Sequence, residues 1–169
     1  ALNFDGVDDY VNIGNPASLR ISGVGSKITL SAWIKYSSAQ DGYVIRKGYE
    51  VASQSEWGIY VGTDGSLNFR MVANQGRSHK SPATMVNGQW YHLVATASYN
   101  DIAPKLYMNG VQVTATLNDS SQPQYDFPST TNDFRIGNSS NNTGFFNGLI
   151  DEVRVYNRAL SAAEIQSLY

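Results

Sequence analysis

Trp57-Gly58-Ile59-Tyr60-Val61-Gly62-Thr63-Asp64-Gly65-Ser66-Leu67-Asn68-Phe69-Arg70-Met71 holds two runs of alternating apolar residues on either side of a turn. Trp57, Ile59 and Val61 alternate with Gly58 and Tyr60. Leu67, Phe69 and Met71 alternate with Asn68 and Arg70. A period of two is the mark of a strand with one face in a core. The intervening Thr63-Asp64-Gly65-Ser66 holds an Asp-Gly pair that tolerates positive φ, so the stretch reads as a hairpin.

The same period recurs along the chain. Ile28, Leu30, Ala32 and Ile34 alternate with Thr29, Ser31, Trp33 and Lys35. Leu93, Ala95 and Ala97, and later Leu149, Asp151, Val153 and Val155, repeat the pattern. Asn109-Gly110 reads as a second hairpin turn, between Leu106-Tyr107-Met108 and Val111-Gln112-Val113. Many short strands with regular turns predict an all-β sandwich. One helix is expected, at the C-terminus. Ser161 and Glu164 form a capping box, and Leu160 with Ile165 a hydrophobic staple. Two polar stretches, about 48–56 and 118–133, are expected as loops. The residues divide into no second domain, so 1–169 is expected as one.

Composition excludes several classes. Lys and Arg number 12 against 14 Asp and Glu, a net charge of -2, which argues against nucleic acid. No apolar run approaches the roughly 18–20 residues of a membrane span. With no cysteine, disulfide scaffolds, thiol nucleophiles and thiolate zinc sites are absent. The chain opens on Ala1-Leu2-Asn3-Phe4 without Met or a visible signal peptide, and is expected to be an excised module or a processed product.

The two ends of the chain carry a specific signal. Leu2-Asn3-Phe4-Asp5-Gly6-Val7-Asp8-Asp9-Tyr10-Val11 opens it, and Phe146-Asn147-Gly148-Leu149-Ile150-Asp151-Glu152-Val153-Arg154-Val155-Tyr156 closes it. Between them come Leu30-Ser31-Ala32-Trp33-Ile34, Trp90-Tyr91-His92-Leu93-Val94 and Phe134-Arg135-Ile136-Gly137. In this order they resemble the laminin-G-like, concanavalin A-like domains of secreted bacterial proteins. The resemblance implies a two-sheet antiparallel jelly-roll sandwich with a short C-terminal helix. It also implies an extracellular setting, covalently linked neighbouring domains, and a non-catalytic role in binding carbohydrate. An adhesive or protein-binding role is the alternative.

Relatives of this kind often carry a structural calcium near the chain ends. Asp5 and Asp151 are the expected ligands, because the resemblance makes their strands neighbours. Asp151 adds a hint of its own, since it alternates with Leu149, Val153 and Val155. A carboxylate on an apolar face is costly unless paired or metal-bound.

Sugar recognition needs aromatic faces and planar polar groups. Tyr36, Tyr43, Tyr49, Tyr60, Tyr99, Tyr107 and Tyr125 lie in loops or outside the main apolar faces. Trp33 and Trp90 sit in the stretches that carry the resemblance and read as scaffold. Trp57 is in phase with the core yet borders a polar loop, so core and rim both stay open. Residues 46–80 hold Arg46, Lys47, Arg70, Arg77 and Lys80 against Glu50, Glu56 and Asp64. His79 joins Arg77 and Lys80 in what reads as a loop after the Leu67–Val72 run. Guanidinium forks suit carboxylate or sulfate groups, so an acidic polysaccharide is one expectation. Tyr49, Trp57, Tyr60, Arg70, Arg77 and His79 are the candidate ligand residues.

Catalysis is not expected. Glycosidases of similar fold use paired carboxylates at a set separation. Here Glu50, Glu56, Glu152 and Glu164 are the only glutamates, and the adjacent Asp151 and Glu152 should face opposite sides of a strand.

Overall fold

A computed structural model of the chain describes residues 1–37, 40–48, 55–72, 76–120, 127 and 131–169. It shows two antiparallel sheets packed face to face, with a jelly-roll order of strands. The strands are β1 (Leu2–Asp5), β2 (Val11–Gly14), β3 (Lys27–Tyr36), β4 (Gly42–Gly48), β5 (Ser55–Val61), β6 (Leu67–Val72) and β7 (Gly76–Lys80). They continue with β8 (Tyr91–Ser98), β9 (Lys105–Met108), β10 (Val111–Val113), β11 (Thr116–Ser120), β12 (Phe134–Ile136) and β13 (Asn147–Tyr156). A helix, α1 (Ala162–Leu168), follows. One sheet runs β1-β13-β3-β8-β9-β10 and the other β11-β7-β6-β5-β4-β12-β2.

The alternation places the core between the sheets. Ile28, Leu30, Ala32, Ile34, Leu93, Ala95, Leu106 and Ile150 enter it from the first sheet. Ile45, Trp57, Ile59, Val61, Leu67, Phe69 and Met71 enter it from the second. Trp57 is fully buried and packs on Phe134, ring centroids 5.7 Å apart. The Thr63–Ser66 turn joins β5 to β6, and the Gly62 amide donates to the Ser66 carbonyl at 2.9 Å. At the β9–β10 turn Asn109 (φ 49°) and Gly110 (φ 74°) both adopt left-handed conformations, as a two-residue hairpin turn of type I′ requires.

Helix α1 begins at Ser161, whose hydroxyl accepts the Glu164 amide while the Glu164 carboxylate accepts the Ser161 amide. It covers the outer face of the first sheet. There Leu160 and Ile165 pack on Val94 and Tyr107, which form a second apolar cluster.

Three expectations change. Residues 76–80 form β7 and not a loop, and 116–120 form β11, which takes in the start of the expected loop 118–133. Asp151 does not face the core. A register shift between Asp151 and Arg154, with Glu152 at φ 49°, places a β-bulge in β13. The alternation therefore changes phase there. Asp151 pairs with Trp33 on the outer face, while Ile150 points inward. Among the described residues no helix is long and apolar enough to cross a membrane.

Candidate functional site

The outward face of the seven-stranded sheet is polar and aromatic where its inward face is mostly apolar, with Lys47, Arg77 and His79 buried among the apolar residues. Cross-strand pairing builds it in rows. Tyr43, Tyr60, Asn68 and Lys80 form one row across β4, β5, β6 and β7. Arg135, Arg46, Gly58, Arg70 and Ser78 form the next. The Tyr43 and Tyr60 rings lie 5.3 Å apart, tilted by 55°. The Arg46 guanidinium stands over Tyr43 at 5.0 Å, and that of Arg135 over Tyr10 at 4.6 Å.

Two depressions open at the Tyr60 end of this face. One, of about 220 Å³, is lined by Asp41, Tyr60, Thr63, Asp64, Asn68, Lys80 and Asn118 among others. The other, of about 290 Å³, is lined by Asp41, Tyr43, Tyr60, Thr143 and Gly144. Asp41 and Tyr60 line both. Tyr60 is half-buried, so part of its ring stays open to solvent.

The polar groups are held in place by one another. Asp64 accepts the Ser66 amide and hydroxyl through Oδ1, and Lys80 Nζ lies 2.9 Å from its Oδ2. The Ser66 bond and the Lys80 ammonium keep the Asp64 carboxyl below the usual carboxylate range, against the effect of burial. Asn68 donates to Ser66 Oγ at 3.0 Å and to the Ser66 carbonyl at 3.2 Å. Asp41 accepts the Thr63 amide at 3.0 Å.

The candidate ligand residues fall on different sides of the sheet. Tyr60 and Arg70 share the outward face. Trp57 is three residues from Tyr60 and points into the core, which settles its role as packing. Arg77 and His79 are also inward, in the rows of Met71 and Phe69, and both are buried. Arg77 donates from Nε and Nη2 to the Ile102 carbonyl, tying β7 to the loop between β8 and β9. Burial, with the Arg77 charge beside it, lowers the His79 pKa to about 4. Neither can meet a ligand at the surface in this arrangement, because β7 continues the sheet and its alternation turns both side chains inward. Tyr49 lies outside the described residues. Lys47 is buried and donates to Asn15 Oδ1 and the Asn132 carbonyl.

Two other tyrosines considered from the sequence, Tyr36 and Tyr107, are scaffold. Tyr36 is buried and donates to the Met85 carbonyl at 2.7 Å. Tyr107 is buried under α1. Tyr125 lies outside the described residues. Ser31 Oγ and His92 Nε2 are 2.9 Å apart, a spacing seen in nucleophile–base pairs. Both are 1% exposed, which shuts substrate out.

Asp5 and Asp151 do not share a site. In the β1–β13 ladder Asp5 pairs with Asn147 and Leu2 with Ile150. Asp151 thus lies at the other end of β1, roughly 13 Å away at ~3.4 Å per residue. Its Oδ2 stands 3.0 Å from the Ala1 nitrogen. Asp5 instead gathers with Asp8 and Asp9, with carboxylate oxygens within 4.8 Å of one another. Asp5 Oδ1 accepts the Val7 and Asp8 amides, and Asp9 Oδ2 accepts the Asp5 amide. The sequence shows these acids, but only the turn geometry groups them.

Comparison with known proteins agrees with the strand order. Residues 5–166 match the Laminin_G_3 family of the concanavalin A-like lectin/glucanases superfamily. The chain belongs to this family. Among curated proteins it is 24% identical over 168 residues to the adhesion G-protein coupled receptor V1 of Danio rerio. That match takes in 95% of this chain and 3% of the receptor's length. Among solved structures, the family member is similar to the CBM40 domain of Ruminococcus gnavus IT-sialidase, which was solved bound to α2,3-sialyllactose. The TM-score is 0.68 at 16% identity, covering 99% of this chain and 97% of that one. It is also similar to domain 4 of an extracellular GH43 arabinanase from Geobacillus stearothermophilus, in complex with arabinotriose. Here the TM-score is 0.63 at 19% identity, over 98% and 74% of the two chains. These neighbours share the fold and are binding domains of larger proteins.

Proposed function

We propose that this domain is a non-catalytic carbohydrate-binding module that holds a polysaccharide on the outward face of its seven-stranded sheet, around Tyr60. One observation carries the reading. The partly open Tyr60 ring lines two adjoining depressions whose other groups include Asp41, Thr63, Asp64, Asn68 and Lys80. A ring to stack on the C–H face of a pyranose stands beside carboxylate, amide and hydroxyl groups that meet sugar hydroxyls. Lys80, and Arg70 on the same face, favour a glycan with carboxylate or sulfate groups. The proposed setting is extracellular, in a longer polypeptide with linked domains, and the glycan-bound neighbours support it.

A glycan array followed by affinity gels with neutral and acidic polysaccharides tests this. Retarded migration that Tyr60→Ala abolishes and Arg70→Ala weakens is expected. Silence across both glycan classes, or full retardation of both variants, would overturn it. The match to an adhesion receptor favours a second reading, a protein-binding role for the same face; capture of a protein partner without glycan binding would select it.

We also infer that the expected calcium is seated at Asp5, Asp8 and Asp9. Calcium takes oxygen ligands at about 2.3–2.6 Å, so oxygens within 4.8 Å of one another can share an ion. All three residues are exposed, and waters would complete the shell.

A further inference from the structure

On the opposite sheet, Trp33, Trp90, Asp151 and Glu152 line an open cleft of about 330 Å³. The ladder explains its floor. Trp33 of β3 pairs with Asp151 of β13 on one side and with His92 of β8 on the other. The Trp33 indole is flanked by rings, with Tyr169 stacked 5.6 Å away and His92 5.3 Å away. Trp90, just before β8, keeps 39% of its surface exposed.

The β-bulge supplies the acidic rim. In a regular strand Asp151 and Glu152 would face opposite sides of the sheet. Glu152 instead adopts φ 49°, a left-handed conformation uncommon for a residue with a Cβ. The result is that two adjacent carboxylates border one cleft.

The lining selects a ligand chemistry. It offers two indoles and two carboxylates, with no amide or hydroxyl side chain. Carboxylates only accept hydrogen bonds, and indole faces attract cations. A neutral sugar would find only the two indole N–H groups as donors in this lining, against the amide, hydroxyl and ammonium groups at the Tyr60 depressions. Arg154 Nη2 meets the Glu152 carboxylate, and the Ala1 nitrogen stands 3.0 Å from Asp151 Oδ2. The Arg154–Glu152 pair is exposed on both sides, and exposed pairs of this kind exchange readily with competing cations.

We propose that this cleft is a second binding site, separate from the glycan surface, and that it takes an organic ammonium group such as a quaternary amine. The methyl groups pack on the indoles while the charge lies between the faces of Trp33 and Trp90 and the carboxylates of Asp151 and Glu152.

Tetramethylammonium chloride and tert-butanol, its neutral counterpart in shape, give the test. Each is titrated into the ¹⁵N-labelled protein while the indole N–H resonances and tryptophan fluorescence are followed. Tetramethylammonium should shift the Trp33 and Trp90 signals saturably, with tert-butanol at least tenfold weaker. Trp90→Ala should abolish the shift at Trp33, Trp90→Phe should keep part of it, and Glu152→Gln should weaken it severalfold. The remaining amide spectrum reports whether each variant is folded; if Trp90→Ala is not, Trp90→Phe and Glu152→Gln decide. Equal affinity for the neutral compound, no saturable shift with the cation, or undiminished binding in folded variants would overturn the proposal.

Discussion

Gly58 gives Arg46 its path across the seven-stranded sheet: a Cβ on Gly58 would stand 2.7 Å from Arg46 Cδ and 2.6 Å from the Ile45 carbonyl oxygen. Arg46 is fully buried, its guanidinium lies over Tyr43, and Tyr43 leans on Tyr60. One missing side chain thus supports the aromatic end of the candidate glycan surface. Gly58→Ala should displace Arg46 and cost about 1–3 kcal/mol, as overpacked sites do. Urea unfolding measures the loss, and a midpoint equal to wild type would show that the arginine has another route.

Trp57 and Tyr60 separate stability from binding. They lie on one strand, three residues apart, and face opposite sides of the sheet. Trp57→Ala should cost about 3–5 kcal/mol, the usual range for an emptied aromatic core position. Tyr60→Ala should unfold near the wild-type midpoint yet lose glycan retention. A Tyr60→Ala protein that unfolds as readily as Trp57→Ala would assign the ring to packing alone.

The sequence makes much of this sandwich legible because its two-residue period is unbroken where it matters most. The Trp57–Met71 hairpin, the Asn109-Gly110 turn and the Ser161–Glu164 capping box all sit where local chemistry places them. Gly76-Arg77-Ser78-His79-Lys80 does not read as a strand, since it has no large apolar residue to mark a face. Its strand character comes from pairing with β6, a long-range property, and that pairing turns Arg77 and His79 inward. The bulge at Glu152 is hidden for a related reason. One extra residue reverses the phase of β13, and nothing in Leu149–Val155 shows where. Candidate site residues chosen by type alone therefore divided between both faces, and only register could sort them.

The buried histidines make stability fall with mild acid. Burial, then the Arg77 charge, holds His79 at about 4, and burial with the Arg154 charge lowers His92 as well. Both are neutral in the folded chain near neutral pH. As the pH drops below about 6.5 the unfolded chain takes up protons that the folded chain refuses. Stability is therefore full above that value and declines toward pH 4, by up to about 3 kcal/mol for His79 at ~1.4 kcal/mol per pH unit. Glu164, held at about 2 chiefly by Arg158, loses its contribution only in stronger acid, as the pH falls from about 4.5. Urea midpoints at pH 7 and pH 5 should differ clearly, and His79→Gln should flatten the slope. A wild-type midpoint constant over that interval would contradict the burial of a neutral imidazole.

Calcium should act at the first turn and not at Asp151. An ion bound by the folded chain alone raises stability by about 2.7 kcal/mol at a hundredfold excess over its dissociation constant. For a domain of this size that is roughly 5–10 °C, at ~2–4 °C per kcal/mol. The melting temperature in millimolar calcium should exceed that in EDTA by several degrees. Asp8→Asn and Asp9→Asn should each remove most of the difference, because their carboxylates face the shared position beside Asp5. Asp151→Asn should leave the difference intact, since it stands at the far end of β1. Equal melting temperatures with calcium and with EDTA would exclude the ion. A calcium response lost in Asp151→Asn but kept in Asp8→Asn would return the site to the other end of the strand.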